Sequence, residues 1–94
     1  MIKDIRELPD KAHINADLII IGGGLAGITL AREWAGRDKT VAILESGGRD
    51  IEDETQDLYK GTGYLSGADG SFEEIDSYLY ESRARVYGGS GNWW

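Results

Sequence analysis

Cysteine is absent from the chain, which excludes disulfides, thiolate catalysis and Cys-ligated zinc or iron–sulfur centres from it. Histidine occurs once, at His13, ahead of the first apolar run, where it reads as a surface residue. Long apolar runs are missing too. No uninterrupted aliphatic stretch exceeds that of Leu18 to Ile21, far short of a membrane span or a signal-peptide core, so no membrane is expected as a partner and the expected location is cytoplasmic. Basic residues are scarce: 10 Lys and Arg stand against 17 Asp and Glu, for a net charge of −7. The stretch from Arg49 to Glu81 holds 10 of the acids and 2 of the bases, and reads as a solvated acidic face. With no basic stripe to neutralise phosphates, nucleic acid is excluded as an expected partner. There is no internal repeat and no low-complexity tract.

What the chain does have is glycine, and the most telling of it lies in DLIIIGGGLAGITLA at residues 17–31, followed by TVAILESGG at residues 40–48. An apolar strand runs straight into Gly22, Gly24 and Gly27, and each glycine meets a separate steric demand. Gly22 permits the tight turn from strand to helix. Gly24 leaves no side chain between the backbone and a pyrophosphate, so the first N–H groups of the helix, at Leu25 and Ala26, can donate to it with the favourable end of the helix dipole. Gly27 lets helix and strand pack closely. Glu45, 18 positions beyond Gly27, ends the next apolar run, where a carboxylate can accept hydrogen bonds from both ribose hydroxyls of an adenosine and would repel a 2′-phosphate. Ser46, Gly47 and Gly48 form a loop close to that ribose. The pattern is that of a βαβ unit built to hold a dinucleotide.

Within that unit, Ala26, Leu30, Ala31 and Trp34 recur at helical spacing and predict a helix from about Leu25 to Ala35. Gly36 is its expected C-terminal cap, with Arg37 and Lys39 near the negative end. Thr40 to Leu44 is the second strand, apolar enough for a parallel strand covered on both faces. Ile2, Ile5 and Leu8 allow a turn of helix or an extended arm before Pro9. Thr55 to Lys60 suggests a short helix, and residues 61–74, rich in glycine, an irregular surface. The expected division is an N-terminal arm at 1–16, the βαβ unit at 17–48, an acidic irregular excursion at 49–81 and a second glycine motif at 82–94.

That second motif is SRARVYGGSGNWW. Arg83 and Arg85 alternate and so point the same way in an extended segment. Gly88, Gly89 and Gly91 then provide backbone that can approach a ligand unobstructed, with Ser90 and Asn92 adding polar side chains. Beside the first motif, this suggests a long ligand contacted in two places. The fold class is α/β, but only two strands are evident and a doubly wound sheet needs more. Trp93 and Trp94 add large apolar side chains at the chain end. The expectation is an N-terminal fragment, or the small subunit of a split protein, with an incomplete Rossmann-like sheet completed from elsewhere. Read from the residues, an NAD-binding module of a dehydrogenase fits, which leaves the second motif without a role, and so does a non-catalytic assembly module.

The ELP near the start, DLIIIGGGLAGITLA, ILESGG, TQDLYKG and above all SRARVYGGSGNWW resemble the N-terminal part of the glucose-methanol-choline (GMC) oxidoreductases. The resemblance is to the sugar-oxidising branch that includes pyranose oxidase and the fructose and gluconate dehydrogenases. It implies an FAD-binding Rossmann-like domain, a substrate domain absent from this chain, and oxidation of an alcohol or sugar hydroxyl by hydride transfer to flavin. By the same resemblance Gly22, Gly24 and Gly27 meet the FAD pyrophosphate and Glu45 the adenosine ribose. Arg85, Gly88, Gly89, Ser90, Asn92 and Trp93 lie along the flavin side. Trp93 departs from the pattern, because several members of the branch carry histidine there, and in pyranose oxidase that histidine bonds the flavin covalently. Indole cannot do so, which implies non-covalent FAD. No counterpart of the family's catalytic base is visible, so the reaction is completed by the remainder of the enzyme, as a C-terminal segment or second chain.

Overall fold

A computed structural model describes residues 1–75 and 77–93; Trp94, one of the two terminal tryptophans, lies outside the described residues. The first strand, β1 (Leu18–Ile21), leads through the glycine turn into helix α1 (Leu25–Trp34), and β2 (Val41–Leu44) returns parallel to β1 with Leu18 opposite Val41 and Ile21 opposite Leu44. The parallel pair is pinned at its start by Asp17. Its carboxylate accepts from the Thr40 N–H and hydroxyl, both at 2.8 Å, and the Asp17 N–H donates back to the Thr40 hydroxyl at 3.1 Å. These hydrogen bonds hold the Asp17 carboxyl below its ordinary range. This is the βαβ unit read from the sequence.

The helix differs from expectation in its face and its end. Gly27, Ile28, Ala31 and Trp34 are its more covered residues, while Ala26 and Leu30 are exposed. The reason is Gly27, whose close approach to the Gly22 carbonyl and the Ile20 side chain sets the rotation of the helix on the sheet. The helix ends at Trp34, and Gly36 follows in the left-handed region at φ +79°. Arg37 Nε donates to the Glu33 carbonyl at 2.8 Å while its guanidinium lies over the Trp34 ring. Only one face of the parallel pair is covered: Ile20 is buried, whereas Ile19 and Ile21 on the opposite face are 52% and 87% exposed.

Beyond β2, helix α2 (Asp53–Gln56) runs into a 3₁₀ turn at Asp57–Tyr59, somewhat earlier than the sequence suggested. The stretch 61–74 is not irregular. It contains an antiparallel hairpin of β3 (Gly63–Ser66) and β4 (Phe72–Ile75), with Tyr64 opposite Glu74 and Ser66 opposite Phe72. Its turn is set by Asp69, whose carboxylate accepts from the Ser71 N–H at 3.0 Å and the Ser71 hydroxyl at 2.6 Å, and by Gly70 at φ +83°. Helix α3 (Tyr78–Glu81) leads to the extended segment 83–86 and a final 3₁₀ turn at Gly89–Trp93. The N-terminal arm makes one 3₁₀ turn at Ile5–Glu7 and touches the N-cap of α2 through an exposed Arg6–Glu52 ion pair at 3.0 Å. No described helix is long and apolar enough to cross a membrane.

Candidate cofactor site

The site lies at the carboxyl ends of β1 and β2, where open α/β sheets bind their ligands. Gly22 takes φ +100°, a turn conformation that a side chain would strain. Gly24 is the N-cap of α1 and is extended, so no side chain closes the first turn of the helix. A Cβ at Gly24 would meet no protein atom within 4 Å. A Cβ at Gly27 would instead strike the Gly22 carbonyl oxygen. The two glycines therefore serve different ends: Gly27 lets the helix pack, and Gly24 keeps open the space in front of the Leu25 and Ala26 N–H groups.

The second glycine motif is brought against the first. Gly24 and Gly88 form a parallel bridge, with the Gly88 N–H donating to the Gly23 carbonyl at 2.8 Å. Gly88 and Gly89 have φ of +93° and +59°, and a Cβ on Gly89 would lie 3.2 Å from Gly24 Cα. Gly91 seats the last 3₁₀ turn on the Leu25 side chain. Ser90 and Asn92 spend their polar atoms on this loop: the Ser90 hydroxyl accepts from the Ala84 N–H at 3.1 Å, and Asn92 Nδ2 donates to the Tyr87 and Gly89 carbonyls at 2.9 and 3.0 Å. Trp93 is 52% exposed.

Glu45 stands between the two motifs. Oε2 accepts the Gly23 N–H at 2.6 Å, and Oε1 accepts the Gly47 N–H at 2.9 Å and the Ser46 hydroxyl at 3.3 Å. Partial burial pushes this carboxyl upward, but the backbone N–H groups of Gly47, Gly23 and Ser46 outweigh it and hold it below the usual range. A carboxylate has about four lone-pair sites. Three are taken by Gly23, Gly47 and Ser46, which leaves about one for a ribose hydroxyl beside a cavity of about 300 Å³ lined by Ile21, Gly22, Leu44, Glu45 and Ser46.

Alternation in 83–86 places Ala84 and Val86 in the interior at 5% and 4% exposure, leaving the two arginines on the other side. Arg83 is exposed; the Arg85 guanidinium lies 4.7 Å from the centre of the Tyr59 ring. Arg85 Nε is buried without a hydrogen-bond partner among the described residues. Gly47, in the loop expected beside the ribose, is needed as glycine because a Cβ there would run into the Arg85 carbonyl. One residue of the site is not evident from the sequence: Gln56, 3% exposed, binds the backbone of 80–85, and its only signal is its place in the TQDLYKG segment. His13 is exposed and well removed in sequence from the 82–94 motif.

A dinucleotide fits this arrangement: an uncapped helix N-terminus, open space at Gly24, a carboxylate at the end of β2, and a second glycine backbone alongside. No curated protein and no solved structure matches the chain. Residues 17–51 match the FAD binding domain family, so the glycine turn, α1, β2 and Glu45 make up an FAD-binding segment of the kind that flavin oxidoreductases carry, and FAD is the cofactor of this protein.

Proposed function

We propose that the protein is the FAD-binding part of an oxidoreductase of the GMC type, oxidising an alcohol or sugar hydroxyl. The observation that carries this reading is the Gly24–Gly88 bridge. An FAD site built on the first motif alone would serve many flavoproteins, whereas here residues 87–89 of the second motif are laid against the first motif and the 46–48 loop, in keeping with the resemblance of both motifs to that family. Flavin, when bound, supplies the hydride acceptor. The Leu25 and Ala26 N–H groups would hold the pyrophosphate, Glu45 and Ser46 the ribose, and the 85–92 loop, with Trp93, the side nearer the ring. With indole at position 93 the cofactor is held non-covalently.

The exposed Ile19 and Ile21 face supports a further part of the reading: a C-terminal segment or second chain covers it and brings the substrate site and the base. The test is a visible spectrum of the purified protein with any co-purifying polypeptide, repeated after acid precipitation, followed by a screen of sugars and alcohols with an artificial electron acceptor. The expected result is flavin released into the supernatant and bleaching of the visible band by at least one sugar or alcohol. Flavin in the pellet would overturn non-covalent binding. A flavoprotein reduced by none of these substrates, but by amines or acids, would overturn the GMC reading.

A further inference from the structure

Among the described residues segment 83–86 has no strand partner, so its backbone groups must find hydrogen bonds elsewhere. The Ser90 hydroxyl accepts the Ala84 N–H and the Gly89 N–H donates to the Val86 carbonyl, and Gln56 provides for Arg83 and Arg85. An amide offers two N–H donors and a carbonyl acceptor. Here Nε2 donates to the Tyr80 and Arg83 carbonyls at 2.9 and 2.6 Å, and Oε1 accepts the Arg85 N–H at 2.9 Å. Gln56 is buried, and its partners lie 24, 27 and 29 residues away. From Arg85 onward the chain is held against the cofactor loops: Gly47 abuts the Arg85 carbonyl, the Tyr87 N–H donates to Gly48 at 2.9 Å, and the Gly88 N–H donates to Gly23 at 2.8 Å.

We propose that Gln56 is a positioning residue for FAD, standing in for a missing strand neighbour and setting the register in which residues 83–89 lie against Gly23 and Gly24. The role rests on FAD occupying these loops. Glutamine is suited to it because the partners are two acceptors and one donor. Leucine would leave all three unpaired, and an ionised glutamate could serve only the Arg85 N–H.

The test compares FAD-loaded wild-type protein with Gln56→Leu and Gln56→Glu by amide exchange over residues 80–89 and by FAD dissociation constant, read from flavin fluorescence. In Gln56→Leu, exchange at 83–88 and the dissociation constant should each rise about tenfold or more, the effect expected when a buried polar group loses its partner. Gln56→Glu should match it at pH 8. At pH 5, where a carboxyl facing two carbonyls takes up a proton and can donate again, its deficit relative to wild type at the same pH should shrink about threefold or more. If Gln56→Leu does not fold, the pH-dependent recovery of Gln56→Glu decides. Wild-type affinity and exchange in both variants, faster exchange without loss of FAD, or a Gln56→Glu deficit equal at both pH values would overturn the role. Wild-type protein that takes up no FAD would overturn the cofactor reading itself.

Discussion

Gly24 and Gly27 are separated by less than one helical turn, yet substitutions at them should fail in different ways. Alanine at Gly24 meets no protein atom, so Gly24→Ala should cost less than about 1 kcal/mol of stability, the ordinary penalty at a helix N-cap. Its FAD affinity should nevertheless fall at least about tenfold, because the new methyl occupies the space in front of the helix. Alanine at Gly27 collides with the Gly22 carbonyl, so Gly27→Ala should lose about 1–3 kcal/mol and a correspondingly lower melting temperature. Thermal unfolding and FAD titration of both variants check this, and wild-type FAD binding by Gly24→Ala would contradict the assignment. Glu45 makes a pH-dependent contribution. Its folded pKa is depressed, so the stability it confers is present above its ordinary value of 4.5 and is lost as pH falls through the lower folded value. Glu45→Gln should flatten that acid limb of an unfolding-midpoint profile, and an unchanged limb would show that the Gly23 and Gly47 contacts are not coupled to folding.

Among the elements, the hairpin of β3 and β4 makes no hydrogen bond to the glycine loops among the described residues, and its turn is set locally by Asp69 and Gly70. Gly70→Val, forced into φ +83°, should speed amide exchange in 63–75 while leaving FAD affinity within about twofold. A larger loss of affinity would mean that the hairpin supports the site. The βαβ unit was legible in the sequence because its periodicities and glycine spacing arise within some thirty residues of one another. The hairpin was not, although the Asp69–Gly70 pair is a turn signal, because its apolar residues Tyr64, Leu65, Phe72 and Ile75 fall on both faces and show no period-two alternation among the glycines and acids. The rotation of α1 was also hidden, since hydropathy favoured Leu30 whereas the contact of Gly27 with Gly22 decided the face. In the site, Gly22, Gly24, Gly27 and Glu45 announced themselves through local spacing. Gln56 did not, and Gly47 announced its loop but not its contact with Arg85, because their partners lie in a segment far along the chain and only the fold reveals the contacts.

The molecule as a whole is more open than its mass requires. Its radius of gyration is 16.9 Å, against roughly 12 Å for a compact domain of this length. Its accessible surface is 7714 Å², against about 5,400 Å². Ile20, Ala84 and Val86 are the buried apolar side chains among the described residues, while Ile19, Ile21, Leu25, Tyr64 and Phe72 are exposed. The chain alone should therefore bind a hydrophobic dye strongly, elute ahead of a compact 10.3 kDa standard and unfold over a broad range. A sharp, dye-negative transition would argue against a covering partner.

The Gly24–Gly88 bridge also has a consequence for the order of assembly. The parallel pair and α1 close over short loops, while the bridge joins points separated by most of the chain and carries a larger entropic cost of closure. The βαβ unit should thus form first and the 83–92 loop dock last, so FAD can act as the clasp that captures the late contact, and cofactor-free protein should refold to a state with the first motif ordered and the second still searching.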